Sequence, residues 1–470
     1  MFMLDPTYNY LTCGFDKLAE DYDYNNRPDP DRFSKKLYDD LIKAFFMNRG
    51  AINKIQQFDL RDGDDAKKND ANWTQYLSLN KYDPECFNKD ESKQPPFSTI
   101  VWKNHLMSAD YIGPSVYWAE NRGCSKETIL NILNIGRTVG GHIVWPRGKG
   151  KTVNQARGGD KTLYDRIDWT LFVLKEYCEC QKDKRAAEKI IQQKYPQIET
   201  NRYTEVLDAI DRYSDWFREF EDFPYFCDWF LLKDSFVDES YDIIWMAPAN
   251  PMLPEDYDGY VQNCLDAINR RNSAIMDKLT ARYYDQSANT YFTTTVNADV
   301  KGLYEHFLKH VPNGAKILDL GCGSGRDVKA FLDMGYEVDA IDGSEELARL
   351  ASDYTGIQVK CMDFNQLNEH CIYDAVWACA SLLHVANHEL PNVLERIRVS
   401  LKPNGVVYIS FKHGDFEGTR DGRYYTDMTH DRFADVLNKS SGFSIIEEWY
   451  SDDVRKENST VWFNVILRKD

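Results

Sequence analysis

The sequence predicts an α/β fold from residue 279 onward, in which a mostly parallel sheet ends in an antiparallel strand pair. A mostly helical α+β domain is expected before it, over residues 1–278. The chain's 470 residues are enough for at least two domains. After Ala315, short β-rich segments alternate with segments of helical periodicity, as in βαβ units. The last two β-rich segments are joined by a short hydrophilic loop, so they must pair antiparallel.

Each element of the C-terminal domain has its own signal. Five β-rich segments are predicted as parallel strands, at 316–320, 336–342, 357–363, 373–378 and 406–411. Apolar residues at helical spacing predict the helices between them, for example Leu390, Val393, Leu394 and Ile397. Residues 412–428 are expected to be a polar loop, followed by a helix that opens near Thr429. Strands at 443–449 and 460–467 then form the antiparallel pair.

A glycine-rich loop follows the first predicted strand, with the sequence Asp319-Leu320-Gly321-Cys322-Gly323-Ser324-Gly325. In a loop between a strand and a helix, backbone N–H groups and the helix N-terminus can contact a ligand at close range. A nicotinamide-binding fingerprint would place its third glycine three residues after the second, and that position is Arg326. The loop therefore argues against a nicotinamide cofactor.

The D-x-G-x-G-x-G spacing, with a parallel sheet that ends in an antiparallel pair, resembles the class I methyltransferases that use S-adenosylmethionine (SAM) and have a Rossmann-like sheet. The resemblance implies that Asp319 lies near the amino group of SAM and that Asp342 accepts hydrogen bonds from the ribose hydroxyls. It also implies an adenine contact by Asp363 and Phe364. Tyr284 and Tyr291 resemble the aromatic residues that cover the methionine part of SAM in this family, although packing of an N-terminal helix would explain these two tyrosines equally well. The expected cofactor site comprises Asp319, Gly321, Cys322, Gly323, Gly325, Asp342, Gly343, Asp363, Phe364, Tyr284 and Tyr291.

The likeness extends over about residues 281–470. Segments such as YYDQSANTYF, LKPNGVVYISFKHGD and DGRYYTD are similar to a bacterial subfamily related to tellurite-resistance methyltransferases, most of whose members have no assigned substrate. The resemblance implies methyl transfer from SAM to a small molecule or an exposed protein side chain. The N-terminal domain would then shape or gate the substrate.

Candidates for the substrate side come from the carboxyl ends of the strands, where this type of sheet binds ligands. Methyl transfer is an in-line displacement that depends mainly on alignment, so few acid–base groups are required. His384 could deprotonate a nucleophile, and capping of the following helix is an equally open role. The other candidates are Lys412 and Tyr424 for catalysis, and His413, Arg423 and Tyr425 for substrate contact.

The N-terminal domain is less informative. Apolar residues at helical spacing predict one helix that contains Ile167, Leu171 and Leu174 and another over residues 255–280. Segments YIGPS, GGHIVWPR, NQARGG and YDRIDWTL look like an uncharacterised bacterial domain family, over about residues 100–240, with no known activity. A basic group could hold an anionic ligand or form salt bridges with the domain's acids; it comprises Arg137, His142, Arg147, Lys149, Lys151, Arg157 and Arg166. Gly150-Lys151-Thr152 lacks the earlier glycine of a phosphate-binding loop, because Trp145 stands there.

Composition argues against several other classes. The net charge is −18, and acids exceed bases both up to residue 280 (46 against 37) and after it (29 against 20). A nucleic-acid binder driven by charge is therefore disfavoured. The segment 378–384 also lacks the Asn/Asp-Pro-Pro-aromatic tetrad of DNA amino-methylating enzymes, which makes DNA an unexpected substrate.

The sequence shows no sign of a membrane protein or a metal site. No stretch approaches the ~20 apolar residues of a membrane span, and the opening segment does not resemble a signal peptide. The eleven cysteines lack metal-ligand spacing, which favours a reducing, cytoplasmic location.

Two alternative functions stay open. One is a SAM-sensing binding protein without catalysis, because methyltransferase sites often carry no obligatory base. The other is an NAD-dependent oxidoreductase, which Arg326 and the terminal antiparallel pair oppose.

Overall fold

The structure, a computed structural model, describes residues 55–57, 100–102, 105–136, 138–147, 150–158, 165–196, 200–245, 254–440, 442–455 and 459–470. The chain divides into two compact units, one ending at Ile275 and the other beginning at Met276. Across these ranges, no helix has both the length and the apolar character that crossing a membrane requires.

The N-terminal unit combines a small antiparallel sheet with several helices. Its strands, paired in chain order, are β1 (Ile55–Gln57), β2 (Ile100–Trp102), β3 (His105–Tyr111) and β4 (His142–Arg147). Its helices are α1 (Val116–Asn121), α2 (Lys126–Asn134), α3 (Val153–Arg157), α4 (Ile167–Glu179), α5 (Lys184–Lys194), α6 (Thr200–Arg212), α7 (Ser214–Phe217) and α8 (Phe223–Trp229). The predicted apolar face of Ile167, Leu171 and Leu174 lies in α4 and is fully buried. The prediction of a mostly helical domain with a small sheet is confirmed.

Helix α9 (Pro254–Thr295) extends well beyond the segment expected from the apolar pattern at 255–280. Residues 260–295 contain neither proline nor glycine, so no helix-breaking residue stops it earlier. From Met276 onward α9 belongs to the C-terminal unit, and several side chains of that part line the site described below.

The C-terminal unit is built on a seven-stranded mixed sheet and a separate hairpin. Its strands are β5 (Lys316–Leu320), β6 (Glu337–Asp342), β7 (Lys360–Cys361), β8 (Tyr373–Ala378), β9 (Leu401–Lys412), β10 (Glu417–Arg420), β11 (Arg423–Thr426), β12 (Phe443–Asp452) and β13 (Val461–Lys469). The sheet order is β12-β13-β9-β8-β5-β6-β7, parallel from β9 to β7 and antiparallel from β9 to β12. This arrangement confirms the Rossmann-like sheet and its terminal antiparallel pair.

Helices cover both faces of this sheet. They are α10 (Lys301–Leu308), α11 (Arg326–Asp333), α12 (Glu345–Thr355), α13 (Leu390–Ser400) and α14 (His430–Lys439). On one face Trp377 of β8 stacks on Tyr408 of β9, with ring centroids 4.1 Å apart. On the other face Val376 and Ile409 lie in the same buried cluster as Val393 of α13. Because both faces are buried, the central strands have nearly continuous apolar sequences.

Two predicted elements differ from the structure. The segment 412–428, expected to be a loop, contains the hairpin β10–β11, which turns at Asp421 and Gly422, with φ of 51° and 76°. Two consecutive positive φ values at Asp-Gly are typical of a two-residue hairpin turn. The third strand is only Lys360–Cys361 rather than 357–363, because it lies at the edge of the sheet and pairs with β6 alone.

Candidate active site

The glycine loop connects β5 to α11 and leaves its backbone uncovered. Gly321, Gly323 and Gly325 all have positive φ, between 55° and 83°, which side chains with a Cβ rarely adopt. A Cβ on Gly321 would lie 2.5 Å from Ser381 Cβ, and one on Gly323 would lie 3.1 Å from the Tyr291 ring. The loop therefore depends on glycine both for its conformation and for the space beside it.

Asp342 ends β6 and lies across from this loop. Its Oδ2 accepts a hydrogen bond from Gly323 N at 2.8 Å, and its Oδ1 accepts one from Ser344 N at 2.9 Å. Burial raises the pKa of Asp342 to about 6, although these two bonds act in the opposite direction. The carboxylate is thus held in place and lacks the hydration that an exposed aspartate has.

A cavity of about 260 Å³ opens along the loop and Asp342. It brings together most of the predicted cofactor residues: Gly321, Gly323, Asp342, Gly343, Asp363, Phe364, Tyr284 and Tyr291. Asp363 accepts a hydrogen bond from Asn365 N at 2.9 Å, which fixes its carboxylate at the cavity wall. We call this space the cofactor cavity.

Three predicted cofactor residues do not line this cavity: Asp319, Cys322 and Gly325. Asp319 is 1% exposed, and its Oδ2 has no hydrogen-bond partner in the described part of the chain. Burial, followed by the nearby charge of Asp327, raises the pKa of Asp319 well above its usual range. The hydroxyl of Ser381, which lines the cavity, is also buried without a partner among the described residues.

Helix α9 supplies cavity residues that the sequence reasoning missed, namely Asp277, Lys278, Thr280 and Ala281. They precede Tyr284 by three to seven positions, so Asp277, Thr280, Ala281 and Tyr284 share one helical face. Continuing the helix pattern past residue 280 would have revealed this face. Burial and the charges of Asp363 and Glu389 raise the pKa of Asp277 well above its usual range.

A second cavity of about 670 Å³ adjoins the first, and we call it the substrate chamber. Its lining includes four of the predicted residues outside the cofactor group: His384, Lys412, Arg423 and Tyr425. Tyr284, Tyr291, Ala380 and His384 line both cavities. These four residues therefore mark the junction at which a ligand in one cavity would meet a ligand in the other.

The hydrogen bonds at this junction determine the state of His384. Its Nδ1 lies 2.6 Å from the backbone carbonyl of Tyr424, which can only accept, so Nδ1 donates. In the neutral ring Nε2 then accepts, and the Tyr284 hydroxyl donates to it over 2.8 Å. Burial, reinforced by the positive charges of Arg423 and Lys412, lowers the pKa of His384 to about 3. His384 is therefore neutral at physiological pH.

Two predicted residues are not brought into either cavity. Tyr424 is 2% exposed, and its hydroxyl donates to Glu417 Oε1 at 2.6 Å, so only its backbone carbonyl reaches His384. The structure therefore gives no catalytic position to the Tyr424 hydroxyl. His413 lies edge-on to Tyr450, with ring centroids 4.9 Å apart, outside the chamber lining.

The described members of the N-terminal basic group are engaged within their own unit. Lys151 pairs with Glu205, Arg157 with Asp165, and Arg166 with Asp168. The side chains of Arg137, Arg147 and Lys149 lie outside the described residues. These contacts support the salt-bridge interpretation over an anion site.

The residues present fit SAM as the cofactor. The glycine loop offers a space that a Cβ would fill, Asp342 faces the cofactor cavity, and Asp319 Oδ2 and Ser381 Oγ are buried acceptors without partners among the described residues. Asp319, Asp342, Asp363 and the loop backbone would hold the group. When bound, SAM supplies an electrophilic methyl group on a sulfonium.

Parts of this chain resemble known proteins. Residues 317–405 match a family described as a methyltransferase domain. Among curated relatives, N-terminal Xaa-Pro-Lys N-methyltransferase 1-B of Xenopus laevis is 27% identical over 29% of this chain and 67% of its own length. Ubiquinone biosynthesis O-methyltransferase of Xanthomonas axonopodis pv. citri (strain 306) is 35% identical over 21% of this chain and 44% of its own length.

The chain thus spans 67% and 44% of the length of these two curated relatives. Among solved structures, a Burkholderia thailandensis 1,6-didemethyltoxoflavin-N1-methyltransferase aligns with 42% of this chain and 90% of its own chain, at 22% identity and a TM-score of 0.36. A likeness at that TM-score carries no argument about substrate or mechanism.

The fold, the site and the domain match define the C-terminal unit as a class I SAM-dependent methyltransferase domain, with SAM as its cofactor. The N-terminal part identifies the chain further. Residues 16–196 and 189–275 match a family of unknown function (DUF6994), and together they cover more than half of the sequence. The chain belongs to that family.

Proposed function

We propose that the protein transfers the methyl group of SAM to a nitrogen or oxygen of a small molecule or of an exposed protein side chain. The observation that carries this proposal is the junction at Tyr284, Tyr291, Ala380 and His384, which joins a cofactor cavity to a larger chamber. A binding protein that only sensed SAM would have no need of a second chamber at that point.

The chain's own residues contribute mainly alignment. Holding a nucleophile in line with a methyl group about 3–3.5 Å away supplies roughly 7–11 kcal/mol of the barrier. The ring of Tyr291 lies beside Gly323, where it can cover the methionine part of the cofactor and attract a sulfonium. Tyr284, held by His384, fixes one wall of the path between the two cavities.

A proton released by the nucleophile has a route at the same place. The Tyr284 hydroxyl can accept that proton while its own moves to Nε2 of His384. The low pKa of His384 makes this imidazole a weak base. The site therefore favours acceptors that are already nucleophilic near neutral pH, such as an unprotonated amine or an acidic phenol.

The names of the relatives support both nitrogen and oxygen as methyl acceptors. One group is named for N-methylation of a protein N-terminus and the other for O-methylation in ubiquinone biosynthesis. Each matches only part of this chain, so they support methyl transfer without selecting the substrate. A place in the subfamily related to tellurite-resistance methyltransferases is part of this proposal.

The N-terminal domain, with a boundary near residue 278, is proposed to shape or gate the substrate. Its test is the activity of residues 276–470 expressed alone, which keep Asp277 and Lys278 of the cofactor cavity, compared with the full chain. Equal kcat and KM for the same acceptor would contradict that role.

Methyl transfer is tested with the full chain, isotopically methyl-labelled SAM and separated metabolite, protein and nucleic-acid fractions of a cell extract. We expect the wild type to label a metabolite or protein fraction. The control variant Asp339→Asn should label the same fraction, because Asp339 lies on β6 and pairs with Lys316. Asp342→Ala should abolish labelling. Binding of S-adenosylhomocysteine (SAH) without labelling of any fraction would favour a sensor, and stabilisation by NAD alone would favour an oxidoreductase.

A further inference from the structure

Positive charge is concentrated around Tyr425, which lines the substrate chamber together with Lys412 and Arg423. Lys412 Nζ lies 4.3 Å from the centre of its ring, Arg420 Cζ 4.6 Å and Arg423 Cζ 5.2 Å. Only Arg420 has a carboxylate partner there, Asp427. In the described part of the chain, Lys412 and Arg423 form no ion pair.

These two cations are also poorly solvated. Both are half-buried, and Arg423 Nε is buried without a hydrogen-bond acceptor among the described residues. Burial, followed by the charges of Arg420 and Arg423, lowers the pKa of Lys412. Like charges held together away from water repel one another, so an anion placed between them would be strongly attracted.

The acids that line the chamber do not neutralise this group. Asp299, Asp421 and Asp452 are exposed, and Asp453 pairs with Arg455. Exposed carboxylates are screened by water and salt, whereas half-buried charges are screened much less. The surroundings of Tyr425 are therefore locally positive although the whole chain is acidic.

The positive charge around Tyr425 lies close to the junction between the two cavities. Arg423 Nη1 lies 3.4 Å from the Tyr284 hydroxyl, which is part of the junction between the cavities. The chamber walls also include the aromatic rings of Tyr425, Trp449 and Trp462. A planar ring could stack on these walls with its anionic group at Lys412 and Arg423, and its nucleophile would then be directed to the junction.

We infer that the methyl acceptor is a small aromatic molecule that carries an anionic group, such as a carboxylate, recognised by Lys412 and Arg423. This inference rests on the proposed methyl transfer and specifies its substrate class. It disfavours a cationic protein N-terminus of the Xaa-Pro-Lys kind, because like charges would oppose its entry.

The test uses the full chain saturated with SAH and isothermal titration with matched probes. The probes are 4-hydroxybenzoate, 3,4-dihydroxybenzoate and 3-aminobenzoate, each compared with its neutral amide. We expect the wild type to bind at least one acid about tenfold or more tightly than its amide, as for a charge-assisted hydrogen bond. Lys412→Met and Arg423→Gln should each reduce that ratio severalfold.

Lys439→Met provides the matched control, since Lys439 is exposed at the end of α14 and lies outside the chamber lining. It should keep the wild-type ratio and SAH affinity. Thermal unfolding with SAH shows whether each variant is folded.

Equal binding of acid and amide in every pair would overturn the inference, as would an unchanged ratio in both chamber variants. A loss of SAH affinity in those variants would also overturn it, because the cations would then hold the cofactor. Failure of the wild type to bind SAH would instead contradict the proposed function, and methylation of neutral acceptors alone would contradict only the substrate class.

Discussion

Asp342 offers the sharpest test of the cofactor site, through the change Asp342→Asn. In the structure its two oxygens accept hydrogen bonds from Gly323 N and Ser344 N, and it faces the cofactor cavity. Ribose hydroxyls would add donors to the same carboxylate. An asparagine has one acceptor oxygen, and its amide nitrogen would face one of the two N–H groups.

The pKa of Asp342 sets how much the free energy of unfolding should change with pH. It is about 6 in the folded protein, compared with about 3.9 in an unfolded chain, and each pKa unit corresponds to about 1.4 kcal/mol. Because the folded pKa is raised, this group's contribution to stability is complete below about pH 4 and is lost as the pH rises through about 6. The cofactor-free protein should therefore lose roughly 3 kcal/mol of unfolding free energy over that range from this residue.

Cofactor affinity should change in the opposite direction. Hydroxyl donors favour the ionised carboxylate, so SAH binding should strengthen by about tenfold between pH 5 and pH 7 and then level off. Hydrogen bonds to a charged group contribute about 1.5–3 kcal/mol. Asp342→Asn should therefore bind SAH about 10- to 100-fold more weakly at pH 7 and lose the pH dependence.

Isothermal titration of SAH at several pH values between 5 and 8 measures both effects. Asp339→Asn on the same strand should keep the wild-type affinity and pH profile, because Asp339 pairs with Lys316 away from the cavity. If Asp342→Asn bound SAH like the wild type at every pH, the assignment of this carboxylate to the cofactor would be wrong.

Three further predictions concern the loop and the junction. Gly325→Ala should destabilise the fold by about 1–3 kcal/mol, because its Cβ would lie 2.8 Å from Thr355 Cγ2 at a φ of 74°. Urea unfolding measures this, and Gly343→Ala, whose Cβ meets nothing within 4 Å, should lose much less. Tyr284→Phe removes the hydroxyl that donates to His384, so kcat should fall, but by less than the roughly hundredfold of an efficient general base because His384 is a weak base, with SAH affinity unchanged; an unchanged kcat would refute the proton route. Since the pKa of His384 is about 3, kcat/KM between pH 5 and pH 8 should show no histidine titration. A wild-type pKa near 6.5 that disappears in His384→Asn would contradict this.

The cofactor half of the site could be predicted from the sequence because its signals are local. The strand, the glycine loop and the helix after it lie within one βαβ unit, and each glycine has a distinct conformational reason. Asp342 and Asp363 end the next two predicted strands, so parallel pairing alone places them at the same edge as the loop. Asp319 is an exception, since only the packed structure shows that its side chain is buried and does not line the cofactor cavity.

The substrate half could not be predicted in the same way. The loop prediction for residues 412–428 omits the β10–β11 hairpin, although the Asp421-Gly422 turn is a recognisable hairpin signal in the sequence. Alternation along β11 turns Arg423 and Tyr425 into the chamber and Tyr424 away from it. A loop has no such alternation, so the loop prediction gives no reason for Tyr424 to face away from the chamber while Arg423 and Tyr425 face it.

The sequence by itself determined the fold class and the edge of the sheet at which a ligand binds, because these depend on residue spacing within short segments. Its resemblance to SAM-dependent methyltransferases implied the cofactor. Only the tertiary structure decided which cations remain without carboxylates and which nitrogen of His384 faces the junction. Tyr284 and His384 are 100 residues apart, and Arg423 comes from a third element. Their hydrogen bonds and charges depend on packing between distant elements, which no local pattern records.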